Sequence, residues 1–256
     1  MQINDYVIIK DSDDKIIYTI CDIYDDKVLL KGVYQLIKII KNINDIVEAP
    51  KEMLEEEQKK TRNCKRVLSN IKKTRIETRP LFGRILHIDG DKDYLESCMS
   101  LYKEMGIYAE GIYIPEEKIK YEIEKIILKT TPDIIVITGH DIYNGNNIKD
   151  LSSYENTKHY IDKVRNIIKK YYYNDVVIIV GACGSNFEAL IASGANFASS
   201  PARINIHTYD PAVIAIVVAS TSVNKNVDFN YCLKLIENGR KAFGGVETKG
   251  KMRMLL

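Results

Sequence analysis

Two side chains dominate any chemical reading of this chain, His140 and Cys183. Each follows a short apolar run and sits beside glycine, in Ile134-Ile-Val-Ile-Thr-Gly139-His140 and in Val176-Val-Ile-Ile-Val-Gly181-Ala-Cys183-Gly184. An imidazole and a thiol on one rim are the pair that thiol-dependent acyl transfer needs. The thiolate attacks, a neighbouring imidazolium lowers its pKa, and the ring returns a proton to the leaving amine. Gly181 and Gly184 would let a substrate backbone come close. The Cys183 amide, at the start of the following helix, could donate to an oxyanion. Taken singly, a strand-end cysteine is an apolar filler and a strand-end histidine a surface residue. The chemistry requires both, on neighbouring strands, with the thiol open to a substrate.

Other polar residues fall at the same ends. Asp89 and Asp91 close the run Ile85-Leu-His-Ile-Asp89-Gly-Asp91. They read either as a helix N-cap, worth about 1 kcal/mol, or as carboxylates that bind a basic substrate side chain. The segment Gly194 to Asp210 is dense in small polar groups, and Ser199, Ser200, Arg203, Asn205, His207 and Asp210 could wall a pocket or satisfy their own loop. His87 lies inside a strand and His159 on a helix, so both are expected in core or surface roles.

The elements that must position these groups follow from periodicity. From residue 80 onward, apolar strands alternate with helices: strands at Arg84–Asp89, Ile107–Ile114, Asp133–Ile137 and Val176–Val180, helices at Tyr94–Met105, Glu116–Thr130, Tyr154–Tyr172 and Phe187–Ala192. Asn205–His207 and Val213–Ala219 are further strand candidates. Continuous apolar strands between helices predict an α/β domain, a mostly parallel sheet with helices on both faces. Ligands then bind outside the carboxyl ends of the strands, where the residues above lie. Residues 1–50 hold short Ile/Val/Tyr-rich strands with acidic turns, the last being Val33–Ile40, and predict a small β-barrel. Residues 51–79 are a charged helical stretch read as a solvated connector, stopped by Pro80. The expected division is 1–50, 51–79 and 80–256.

Composition narrows the function classes. The 256 residues carry 37 Lys+Arg against 35 Asp+Glu, a net charge of +2, so no nucleic-acid partner is expected. No apolar stretch is long enough to span a bilayer, and the first residues show no secretory leader, so no membrane partner is expected. Cys21, Cys64, Cys98, Cys183 and Cys232 form no CxxC pair. Neither a disulfide framework nor a metal site is expected, no cofactor motif stands out, and a reducing cytoplasm is the default.

The segments ILHIDGDKDYLESCMSLY (85–102), PDIIVITGHDIY (132–143), VVIIVGACGSNFEALIASGANFASSPARINIHTYDP (176–211) and GGVETKG (244–250) together resemble the YabG family of sporulation proteases. The preceding small β-domain and linker are similar as well. That resemblance implies a sporulation peptidase of the mother-cell cytoplasm, with association to the spore coat as an extension. It implies protein substrates of the spore coat and cortex, and the chain itself as a substrate. Oligomeric state stays open. The strand-His and strand-Ala-Cys layout is in turn similar to the caspase, gingipain and legumain group of cysteine peptidases. Carried over, His140 is the general acid/base and Cys183 the nucleophile, with Asp89 and Asp91 at the specificity pocket. That wider group has glycine directly after the histidine. Here Asp141 follows and Gly139 precedes, so Asp141 would supply its amide to the oxyanion or its carboxylate to orient His140. The acidic rim implies a preference for Arg or Lys before the cut. The self-cleavage targets would be Lys59, Lys60, Arg62, Lys65, Arg66, Lys72, Lys73, Arg75 and Arg79.

Two other classes compete. A receiver-like signalling module shares the acidic first-strand end, but Thr138-Gly139-His140 stands where a phosphoacceptor is needed. A magnesium-dependent phosphohydrolase would use Asp89 and Asp91, yet no phosphate-binding loop accompanies them.

Overall fold

The computed structural model describes residues 1–73, 80–115, 119–170 and 176–255. Its N-terminal part is a five-stranded antiparallel sheet of β1 (Tyr6–Ile9), β2 (Tyr18–Tyr24), β3 (Lys27–Gly32), β4 (Lys38–Asn42) and β5 (Ile46–Glu48), in the order β4-β3-β2-β1-β5. β4 and β5 lie at opposite edges although only Ile43–Asp45 separates them. Neighbouring strands lie about 4.8 Å apart, so the sheet must curl for so short a link to join its edges. No ladder pairs β4 with β5. The expected barrel is therefore corrected to a curled, open sheet around Val7, Tyr18, Ile20, Val28, Leu30 and Ile46. The expected strand from Val33 to Ile40 is shortened too: β4 starts at Lys38, and residues 33–37 leave the sheet.

Helix α1 (Lys51–Lys73) is more than a solvated connector. Lys65 reaches Glu104 at 2.8 Å, the Cys64 thiol faces the Leu235 carbonyl at 3.5 Å, and Leu68 is buried. Residues 74–79, with the potential cleavage sites Arg75 and Arg79, lie outside the described residues.

The remaining chain forms β6 (Pro80–Leu81), β7 (Ile85–Asp89), α2 (Lys92–Met105), β8 (Ala109–Tyr113), α3 (Ile119–Thr130), β9 (Ile134–Gly139), α4 (Thr157–Lys170), β10 (Val177–Ala182), α5 (Phe187–Ser193), β11 (Phe197–Ser199), α6 (Asp210–Ser220), α7 (Phe229–Leu235), β12 (Phe243–Gly245) and β13 (Arg253–Met254). Six of the strands make one sheet in the order β8-β7-β9-β10-β11-β12, parallel except for β12, while β6 and β13 pair separately. Successive side chains alternate between faces. Ile134, Val136, Val177 and Ile179 pack under α2 and α6, whereas Ile135, Ile137, Ile178 and Val180 pack with Ile127 of α3, Tyr160 and Val164 of α4 and Leu190 of α5. Helices thus cover both faces, as the α/β reading required.

Val213–Ala219 is not a strand. It belongs to α6, whose residues are all buried. A helix apolar all round reads like a buried strand until length decides, and Pro211 fits its first turn. Asn205–His207 is loop, joined to Gln35 by a single bridge at His207.

Candidate active site

The register sets the site. β9 and β10 pair in parallel, with Thr138 opposite Gly181 and Gly139 opposite Ala182. His140 and Cys183 are the next residues on each chain. Counting by twos from Val136 and Ile179, both fall on the face covered by α2 and α6. The strand order reverses between β7 and β9, so the rim beside them is the switch point where doubly wound sheets open a crevice.

Cys183 is only 2% exposed. Its sulfur accepts the Ile206 amide at 3.2 Å, and the Leu36 amide, which donates to the Ile206 carbonyl, lies close enough to favour the thiolate too. Burial pushes the thiol up to about 12, outweighing the two amides that favour the thiolate. The expected open thiol is thus a covered one, and its lid includes Leu36, a residue of the N-terminal part that is itself 1% exposed. His140 keeps partial access. Its Nδ1 lies 3.3 Å from the Leu36 carbonyl oxygen, which can only accept, so Nδ1 donates there. Nε2 is 3.6 Å from Asp91 Oδ2, and the Tyr94 ring meets the imidazole edge-on at 5.9 Å. The His140 carbonyl accepts from Asn156 at 3.0 Å and Tyr160 at 3.2 Å, which fixes the backbone behind the ring.

The two aspartates part company. Asp91 caps α2, accepting the amides of Asp93 (3.0 Å) and Tyr94 (3.3 Å), and takes Lys31 Nζ at 2.5 Å. Burial would raise its carboxyl, but His140 and Lys31 outweigh that and hold it below the usual carboxylate range. Asp89 is 1% exposed and cannot face a substrate, which corrects its expected place in the specificity pocket. It ends a buried chain: Tyr102 OH to His87 Nδ1 (2.9 Å), His87 Nε2 to Thr138 Oγ1 (2.8 Å), Thr138 OH to Asp89 Oδ2 (2.5 Å). The Asp91 amide donates to Asp89 Oδ1 at 2.8 Å. Burial pushes Asp89 up to about 7 and His87 down to about 3. This burial also removes the paired-aspartate magnesium site. Among the described residues no group of three or more His, Cys, Asp or Glu could hold a metal ion.

The other expected wall and oxyanion residues serve the loop's own backbone. Ser199 Oγ accepts the Ala182 amide at 2.8 Å and donates to the Ala182 carbonyl at 2.7 Å. Ser200, buried and at φ +61°, accepts the Gly184 amide at 3.1 Å and donates to the Ile204 carbonyl at 2.9 Å. Both serines therefore clamp the residues flanking Cys183. Gly184 sits at φ +64° and gives its amide to Ile204 O at 3.2 Å as well, so that amide is not aimed at an oxyanion. Gly181 makes room for α6, since a Cβ there would lie 2.4 Å from Pro211 Cγ. Arg203 spends its guanidinium on Tyr154 OH (2.8 Å), the carbonyls of Ser200 and Pro201, and Glu188. Buried Asp210 accepts the His207 amide at 3.1 Å and the Glu237 amide at 3.3 Å, anchoring the segment over Cys183. The Asp141 carboxylate turns away from the imidazole to Thr157, the Asn156 amide (2.7 Å) and the Ile142 amide (2.9 Å). Asp91, not Asp141, is the carboxylate beside His140. Thr138, bonded to Asp89, leaves the receiver reading without a phosphoacceptor. His87 is core and His159 exposed, as expected.

Sequence reasoning missed Lys31, Leu36, Tyr94 as a polar group, and Ile206. Lys31 also pairs with Asp93 at 2.6 Å and lies 4.4 Å from the Tyr94 ring centroid. The one signal was the loss of strand alternation after Gly32, where a Cβ would meet the Gln35 carbonyl oxygen at 2.4 Å.

The curated sporulation-specific protease YabG of Bacillus subtilis (strain 168) is 42% identical over 175 residues, which span 67% of this chain and 60% of that protein. Among solved structures, a cobalamin-binding protein from Desulfitobacterium hafniense DCB-2 matches with a TM-score of 0.33 at 16% identity, covering 47% of this chain and 53% of that one, too weak a likeness to bear on the fold. The family described as YabG peptidase U57 matches residues 2–256, and the chain belongs to that family.

Proposed function

We propose that this protein is a cysteine endopeptidase of sporulation, with Cys183 as nucleophile and His140 as general acid/base. The observation that carries the reading is the parallel register of β9 on β10, which puts an imidazole and a thiol one residue beyond the paired Gly139 and Ala182. A side-chain order of strand-end histidine then next-strand Ala-Cys, in a mostly parallel sheet, also supports a caspase-like arrangement of the domain. The Cys183 thiol gives its proton to His140 as its sulfur bonds to the scissile carbonyl carbon, and the carbonyl electron pair moves onto oxygen. Collapse breaks the C–N bond while His140 delivers a proton to the amine, leaving a thioester. Water then adds with His140 as base, releasing the acid and the thiol. The Cys183 and Asp141 amides are the proposed oxyanion donors, since Gly184 is already engaged. Asp91 is a positioning residue that faces His140 Nε2.

The proposed substrates are proteins of the spore coat and cortex, within the mother cell, and the chain itself. No helix among the described residues is long and apolar enough to cross a membrane. A basic residue before the cut fits the notch made by Asp91, Asp93 and Tyr94, where Lys31 already sits. Lys60 and Lys65 are ion-paired on a helix, so cleavage in the linker needs local unwinding. The test is Cys183→Ala and His140→Ala, each assayed on self-cleavage and on a spore protein extract, with Cys98→Ala as control. Loss of cutting in the first two alone supports the reading, and cutting by Cys183→Ala overturns it. Sequencing the new amino termini tests the preference, which fails if cuts follow only acidic or apolar residues.

A further inference from the structure

The cover over Cys183 is built like a bound peptide. Residues 33–37 leave the N-terminal sheet and lie antiparallel to the chain leading into α6. Gln35 bridges His207, the Leu36 amide donates to Ile206 O at 3.3 Å, and the Thr208 amide donates to Tyr34 O at 2.7 Å. Thr208 Oγ1 adds a bond to Tyr34 O at 3.0 Å. The Tyr94 hydroxyl is within donating distance of the carbonyls of Gly32 (2.7 Å) and Gln35 (2.9 Å), and the Tyr34 ring stacks on His207 with centroids 5.9 Å apart. Leu36 buries its side chain in the core cluster that also holds Cys183 and Ile206. Its carbonyl meets His140 Nδ1 at 3.3 Å, and Ile206, whose carbonyl takes its amide, gives its own amide to the Cys183 sulfur at 3.2 Å. Main-chain pairing along one edge with a side chain in a pocket is how an extended peptide adds to a protein as a strand.

We propose that residues 204–208 form the peptide-binding edge of the site, that it takes an extended peptide with an aliphatic side chain at the place of Leu36, and that this chain's own residues 33–37 fill it as an internal stand-in until they swing away. Lys31 is the latch. At the foot of the segment it clasps Asp91 and Asp93, in the notch proposed for a basic substrate side chain. While the segment is in place, the imidazole proton is given to the Leu36 carbonyl, and a substrate carbonyl has no route to the sulfur. The use of the groove rests on the peptidase reading above; what fills the groove does not.

The test reads thiol protection in the full-length protein. Alkylation of Cys183 by iodoacetamide is followed by peptide mass spectrometry, with buried Cys98 and Cys232 as internal references. In the wild type, Cys183 should react slowly, at a rate set by the opening of the strap. Lys31→Met, which leaves the core intact, and Leu36→Gly should each raise its rate at least about tenfold while the references stay slow. A synthetic peptide of the sequence KGVYQLIK in excess should restore protection. A Cys183 that is already fast in the wild type, or one equally slow in Lys31→Met and Leu36→Gly when both melt cooperatively, overturns the proposal. Catalysis enters none of these readings, so an exposed but inactive thiol would refute the peptidase reading and leave the groove standing.

Discussion

Two sets of polar groups are covered at the same end of one sheet, and different things cover them. Asp89, His87, Thr138 and Tyr102 are enclosed by the sheet and α2, with each donor matched to an acceptor. Cys183 and His140 are enclosed by a stretch of chain from another part of the molecule, held by a few main-chain bonds and one lysine. Core burial is permanent and makes structure. Burial by a strap is reversible and leaves chemistry in reserve. Burial alone would rank Asp89 and Cys183 as equals, and only the identity of the covering atoms separates them.

The comparison breaks first on activity. Cys183→Ala should lower cleavage of a protein substrate by at least about 10³-fold, the scale for removing a nucleophile. Asp89→Asn should change kcat/KM by only a few-fold once unfolded protein is discounted. An Asp89→Asn enzyme as dead as Cys183→Ala would mean that the buried chain takes part in the reaction.

Next in size are the props of the Cys183 loop. Gly181→Ala puts a Cβ 2.4 Å from Pro211 Cγ and 3.1 Å from Thr138 Cγ2. It should cost about 1–3 kcal/mol in urea unfolding, since α6 cannot back away from a packed core without loss. Ser199→Ala leaves the buried Ala182 amide without its partner and should cost about 1–3 kcal/mol. Neither serine nor glycine should alter substrate preference among the molecules that remain folded.

The smallest effect concerns acid. Between about pH 4 and 6.5 the folded chain keeps a proton on Asp89, raised to about 7, and none on His87, lowered to about 3. The unfolded chain does the reverse, with aspartate ionised and histidine protonated. Both states hold one proton on this pair, so the pair adds no slope to stability in that window. Asp89→Asn removes one side of the balance. The unfolded state then binds the extra proton, on His87, and stability should fall as pH drops from about 6.5 toward 3, read from urea midpoints at several pH values. An unchanged profile would show that the proton is not shared as described.

Much of the frame was legible in the sequence. The apolar runs at Ile134 and Val176 gave central parallel strands, and the N-cap reading of Asp91 marked the start of α2. The two candidate catalytic side chains followed from the strand ends. Three things were not legible. Val213–Ala219 carries no polar face, so periodicity could not tell a buried helix from a buried strand. The roles of Ser199, Ser200, Arg203 and Asp210 turn on which backbone groups need partners, a three-dimensional quantity. The placement of Leu36 over Cys183 is a contact between residues 147 positions apart, and local pattern carries no trace of it.

The central claim is that the sulfur of Cys183 is the attacking atom. A peptide chloromethyl ketone, added to full-length protein until cleavage of a spore protein extract stops, followed by mapping of the adduct, tests it directly. The account predicts one adduct per chain, on Cys183, appearing in step with the loss of cleavage and absent from Cys183→Ala. Inactivation with the adduct on any other residue, or full labelling of Cys183 with cleavage intact, would contradict it.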